Sequence, residues 1–209
     1  MRGWRRFGRW LSAHLFVGAL GISGMVGLDM GLTVLKRRIF LPGPHDVTLW
    51  LGLGGLWLGA LLGGGQRWAL RSPEGSALRW VFWSGLGSAL GWLGLWGMFW
   101  AIGPERLIPP GTSGMQAWAW ILSGLGLGAG LGVGIAQWIG LGRSKGAMGG
   151  WAALSGLGGG VAGWGIGVAM IQLGEETLEQ WGVLSWALLG AIGGGIFGLL
   201  TAPGPPSPE

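Results

Sequence analysis

The stretch GLGLGAGLGVGIAQWIG, residues 124 to 140, lies inside an unbroken apolar run and carries a glycine at every second position from Gly124 to Gly134. A period of two ordinarily signals a strand. A membrane strand, however, is about ten residues long and needs a closed barrel of similar strands, and nothing else in the chain alternates in this way. On a helix, at about 100° per residue, Gly124, Gly128 and Gly132 form one ridge, and Gly126, Gly130 and Gly134 form another roughly 160° away. The pattern therefore predicts a helix with two glycine faces, each able to take a neighbouring helix at backbone contact.

That helix belongs in a membrane. Half of the residues are apolar, 10% are charged and 50 of 209 are glycine, so the chain lacks the polar residues to cover a soluble core. Collagen is excluded because the glycines keep no strict three-residue period and proline is scarce. Membrane helices tolerate glycine better than soluble ones, because unsatisfied backbone in lipid costs several kcal/mol and holds the helix together. Cys, Tyr and Asn are absent, which removes disulfides, thiolate metal sites, cysteine nucleophiles and N-glycosylation.

Apolar stretches of about 20 residues, the length that spans a bilayer, occur near 10–35, 48–68, 80–102, 115–141, 147–171 and 183–201. The expected fold is an all-α integral membrane domain over residues 1–201, with six transmembrane helices. FLPGPHD (40–46), RSPEG (71–75), GPERLIPPGTSG (103–114), GRSKG (142–146) and LGEETLEQ (173–180) read as connectors, and 202–209 as a disordered proline-rich tail. The basic start MRGWRRFGRW precedes an apolar run that continues to Leu35 without a small-x-small cleavage site, so it reads as an uncleaved first span.

Cytoplasmic loops collect Lys and Arg. With the N terminus inside, the inner segments hold Arg2, Arg5, Arg6, Arg9, Arg67, Arg71, Arg79, Arg143 and Lys145, against Lys36, Arg37, Arg38 and Arg106 outside. Both termini are therefore expected in the cytoplasm of a bacterium, in its inner or an internal membrane. The bacterial source is suggested by Arg supplying eleven of the thirteen basic residues.

Glycine ridges recur at Gly55, Gly59 and Gly63, at Gly159, Gly163 and Gly167, and at Gly190, Gly194 and Gly198. All five sets are expected to be helix-packing surfaces, a glycine zipper. GGGVAG (158–163) and GGGIFG (193–198) match a dinucleotide-binding pattern by letter, but no strand precedes either, so neither reads as a nucleotide loop.

An internal repeat underlies the ridges. At an offset of 71, Gly55, Leu56, Gly59, Gly63, Gln66, Leu70, Trp80 and Ser84-Gly85-Leu86-Gly87 recur as Gly126, Leu127, Gly130, Gly134, Gln137, Leu141, Trp151 and Ser155-Gly156-Leu157-Gly158. At an offset of 70, Arg9, Trp10, Ala19-Leu20-Gly21, Gly24 and Gly27 become Arg79, Trp80, Ala89-Leu90-Gly91, Gly94 and Gly97. GGGI (193–196) aligns with GVGI (132–135). The spans are thus expected as parallel hairpin repeats with pseudo-threefold symmetry, the sixth packing on the first.

The segment GVGIAQWIGLGRSKGAMGGWAALSGLGGGVAG (132–163) and its weaker copy GGGQRWALRSPEGSALRWVFWSGLGSALG (63–91) resemble a membrane hairpin of uncharacterised bacterial polytopic proteins. In that hairpin, glycine-spaced residues run into Gln-Trp, then Leu and a basic turn, then Trp and a second glycine-spaced helix. The resemblance implies topology and a bacterial source, and carries no known activity.

Gln66 and Gln137 end descending spans, and His14, Ser84 and Ser155 lie about one turn inside ascending ones. Together they are the candidate polar ring at the inner mouth, able to hold an ion, headgroup or small solute; the ordinary alternative is helix capping and interhelical hydrogen bonding. Asp29 is the acid inside a span, a candidate for proton or cation coupling by position, although pairing with Lys36, Arg37 and Arg38 or facing the outer headgroup region is the preferred account. Most of the seventeen tryptophans fall near span ends, as an aromatic belt does. Trp57, Trp92 and Trp164 lie deeper, where they fill space left by glycine or line an apolar pocket. Glu175, Glu176 and Glu179 read as a solvated outer face, and His45 as a solvated loop residue.

No nucleophile with a base, carboxylate pair or metal-ligand spacing stands out, so the expectation is no enzyme, no metal and no cofactor. Bound lipid or pigment, with His14 or a glutamine as ligand, has no specific support. The favoured function is a non-enzymatic accessory subunit packing with other membrane protein subunits among lipids, with no nucleic acid. The alternative is a small-solute or ion transporter or channel along the bundle axis.

Overall fold

In a computed structural model of the chain, residues 2–38, 45–70, 76–103, 106, 108, 110–141 and 145–202 are described. Calls on 40–44, 71–75, 142–144 and 203–209, and on the side chains of Lys36, Arg37, Arg38, His45 and Glu175, lie outside what is described. The helices are α1 (Arg2–Arg38), α2 (His45–Leu70), α3 (Ala77–Ile102), α4 (Gly114–Leu141), α5 (Lys145–Trp181) and α6 (Val183–Leu200). All six are long and apolar enough to cross a membrane.

Each helix packs on its neighbours in the chain, and α6 returns to pack on α1, so the six form a closed ring. The polarity runs opposite to that of a soluble bundle. Phe16, Leu157 and Leu184 point outward and are more than half exposed, while His14, Gln66, Ser84, Ser88, Gln137, Ser155 and Thr201 are buried. Lipid would meet the apolar exterior, whereas the polar atoms find partners inside.

Glycine sets the helix spacing. A Cβ at Gly126 would meet the carbonyl of Gly159, one at Gly130 that of Ser155, and one at Gly134 the backbone of Ala152, all on α5. On the other face of α4, Gly128 and Gly132 abut the carbonyls of Gly91 and Gly87 on α3, and Gly124 faces Leu95. Gly55 and Gly59 approach Ala89 and Ser84 of α3, while Gly63 meets Ser84 and the Trp80 carbonyl. Gly159 returns the contact to Gly126, Gly163 reaches the Leu122 carbonyl, and Gly167 reaches Ala119. Gly190 and Gly194 meet the carbonyls of Gly18 and His14 on α1. Except at Gly124, which meets the Leu95 side chain, and Gly63, which also meets that of Ser84, backbone lies against backbone, where no side chain fits and many weak atom pairs add up.

Two details differ from the sequence expectation. LGEETLEQ is helical where a connector is expected: Gly174, at φ 76°, kinks α5, and the chain continues as a short helix that buries Leu178. Its acids set a loop-like composition, but one apolar residue per turn suffices to seat it. The register of α6 also differs. Gly194, rather than the Ala191 that the GGGI alignment puts there, takes the place against α1 that Gly59 and Gly130 take against α3 and α5, which moves α6 by three residues. Gly193 faces the side chain of Ile166 on α5 instead.

Candidate functional site

At the end of the bundle that holds the N-terminus of α1, the helices converge on a layer of amide, hydroxyl and indole groups. Gln137 is its hub. The Trp151 indole Nε1–H donates to Gln137 Oε1 at 3.0 Å. An indole N–H only donates, so this bond sets the carboxamide's orientation and turns Nε2 toward α2 and α3. Gln137 Nε2 donates to Gln66 Oε1 and to Ser84 Oγ, both at 2.7 Å. Ser84 can accept because its own hydroxyl proton goes to the Trp80 carbonyl at 2.8 Å. Trp80 Nε1 adds a long bond of 3.5 Å to Gln66 Oε1.

The hairpin formed by α6 and α1 solves the same problem without a glutamine. Trp10 Nε1 donates to the Gly198 carbonyl at 3.0 Å, which is open because the last carbonyls of a helix lack intrahelical partners. Thr201 occupies the corresponding helix end, and its hydroxyl turns back to the Phe197 carbonyl at 2.7 Å. With the register corrected, Gly194, Gly198 and Thr201 repeat the spacing of Gly59, Gly63 and Gln66 and of Gly130, Gly134 and Gln137. Thr201 was missed because letter identity was sought where the position asks only for a short polar side chain.

Gln66, Ser84 and Gln137 therefore come together in direct contact. His14 and Ser155 are equally buried but stay outside that bonded trio. Of the five residues expected as a polar ring, three are bonded to one another, Gln137 reaching both Gln66 and Ser84. The edge-to-face Trp10–Trp151 pair, 6.4 Å between centroids, ties α1 to this layer. Three polar atoms in it have no partner in the structure: His14 Nε2, Gln66 Nε2 and Ser155 Oγ. Asp29 is exposed on α1 and apart from the layer.

Above the layer, on the axis, is a cavity of about 150 Å³ lined by residues from all six helices. Its outer part is bounded by the stacked Trp50–Trp92 pair, 6.0 Å apart with planes 17° from parallel. Met25, Leu51 and Leu125 cluster with Trp92 there. Trp92 thus lines a pocket, whereas Trp57 fills space over Gly24, and Trp164 packs edge-to-face on Trp120.

Comparison of the chain with family models, with curated proteins and with solved structures finds no match in any of the three. What the site can do therefore follows from its own geometry: a bonded polar layer at one end of the bundle, with a small and mostly apolar space next to it.

Proposed function

We propose that the protein is a non-enzymatic accessory subunit that holds one transmembrane helix of a partner protein in the groove between α3 and α4. That groove, about 570 Å³ and open to the lipid side, carries the proposal. Gly87, Gly91, Gly94, Gly128 and Gly132 line it, between walls that include Leu90, Met98, Leu131 and Ile135. Gly87, Gly91, Gly128 and Gly132 are pressed against one another across the seam, so the bare backbone left for a second helix is at Gly94, where close approach and Cα–H···O contacts reward a helix more than an acyl chain. A Cβ at Gly94 would meet nothing within 4 Å, so this part of the groove is unoccupied by the bundle's own packing. In this reading the domain is built from three related hairpins, lies in a bacterial inner or internal membrane, and has both termini in the cytoplasm.

Extraction in a mild detergent, followed by size-exclusion and mass spectrometry, tests it. A stoichiometric membrane partner should accompany the wild-type protein. Gly94→Leu should lose that partner while leaving the bundle's own unfolding unchanged, since the new side chain enters open space. A wild-type protein that always runs alone overturns the proposal.

The axial cavity favours a second reading, a carrier or channel for a small solute. The bonded Gln66–Gln137–Ser84 layer would then be the gate, and replacing both glutamines with alanine should change solute flux in liposomes.

A further inference from the structure

We propose that the axial cavity is a binding site for a small, largely apolar molecule bearing one hydroxyl group, of the monocyclic phenol class, whose O–H donates to Nε2 of His14. The site goes beyond the accessory role and does not depend on it.

Two independent observations point to a ligand. First, the space is built rather than incidental. All six helices line it, and apart from His14 and Ser88 its walls are glycine, alanine, aliphatic side chains, Phe197 and the two tryptophans. A space of this volume with an apolar lining is large enough for a molecule the size of benzene. Gly59, Gly130 and Gly194 line it with backbone alone, because their Cα hydrogens face the neighbouring helix where no side chain fits.

Second, His14 lines this space with a polar atom that the fold leaves unused. Its side chain is 1% exposed, and Nδ1 lies 2.8 Å from the Trp10 carbonyl. A carbonyl only accepts, so Nδ1 carries the proton and Nε2 presents a lone pair. Nε2 is buried with no partner. An unpaired buried acceptor costs free energy that a protein recovers when a donor arrives. Its competitor is water, since Gln66 Nε2 and Ser155 Oγ are also unpaired in the polar layer and a buried water needs two to four polar partners.

The tilted ring contacts to Trp10 at 4.4 Å and Phe197 at 5.4 Å hold the imidazole in place, so the acceptor is positioned before binding. Specificity would follow from the pairing: an apolar isostere fills the space but leaves Nε2 unpaired. Charged solutes would be rejected by the lining.

The test is ¹⁹F NMR of the purified full chain in nanodiscs, titrated with 4-fluorophenol and with fluorobenzene, against empty nanodiscs. Saturable binding of 4-fluorophenol about fivefold tighter than that of fluorobenzene is expected, the ratio that one neutral hydrogen bond gives. His14→Phe should remove the preference while keeping ring packing. Val133→Phe, which fills the cavity from a buried lining position, should abolish saturable binding of both probes. Wild-type signals that never saturate beyond the empty-nanodisc control overturn the site. Equal affinity for the two probes overturns the role of His14, and unchanged binding in a folded Val133→Phe protein overturns the location.

Discussion

The seam between α3 and α4 and the seam between α5 and α6 join hairpins in the same bundle, yet they are packed differently. At the first, Gly87 and Gly91 face the carbonyls of Gly132 and Gly128. At the second, Gly193 receives the side chain of Ile166, and Gly165 receives that of Ile196. The α1–α2 seam follows the second pattern, with Leu58 over Gly21 and Trp57 over Gly24. A backbone carbonyl cannot step aside, whereas the end of an isoleucine or leucine can change rotamer. The ring thus contains a stiff body, α2 to α5, fastened backbone to backbone, and a terminal hairpin, α6 and α1, seated by side chains. His14 belongs to the hairpin, so the acceptor facing the cavity is carried by the more adjustable part.

The largest effect expected at a seam between hairpins is that of Gly91→Ala. Its methyl group would collide with the Gly128 carbonyl, forcing the stiff seam apart, and a loss of about 3 kcal/mol or more is expected in detergent-titrated unfolding. Gly130→Leu, inside the α4–α5 hairpin, should leave no folded bundle at all. Next comes Gln137→Leu, which strips the hub of the layer and leaves Trp151 Nε1 without its acceptor; about 2 kcal/mol is expected. The loss should exceed that of Gln66→Leu, in which Ser84 still accepts from Gln137. Gly193→Ala should cost only about 1 kcal/mol, because Ile166 can yield. A cost equal to that of Gly91→Ala would erase the distinction between the seams. Smallest is Thr201→Val, about 0.5 kcal/mol or less, since its hydroxyl bonds only to its own helix.

Much of this architecture was legible in the sequence. Alternating glycines cannot be a lone strand in lipid, and their two ridges specify a helix with a partner on either side, which is where α3 and α5 lie. The Gln–Trp pairs were visible because glutamine and tryptophan in register are rare coincidences. The register of α6 was not, because a run of three glycines offers several alignments of equal quality, and only contact with His14 selects among them. The short helix after Gly174 was obscured by charge, which speaks to exposure more than to backbone conformation. The bonding within the polar layer and the axial cavity depend on where side chains from six helices end. Such distances have no signature in any one span.

The bond from Trp10 to Gly198 joins residues 188 positions apart. Synthesis proceeds at about 5–20 residues per second, so the first helix waits roughly 10–40 s in the bilayer before its partner is made. During that interval its glycine face, His14 and the Trp10 indole have no α6 to meet. Biogenesis therefore requires either that lipid and the insertion machinery shelter this helix, or that a provisional neighbour occupies its face until α6 displaces it. Ring closure is a timed event as well as a packing arrangement, and it waits on the synthesis of α6.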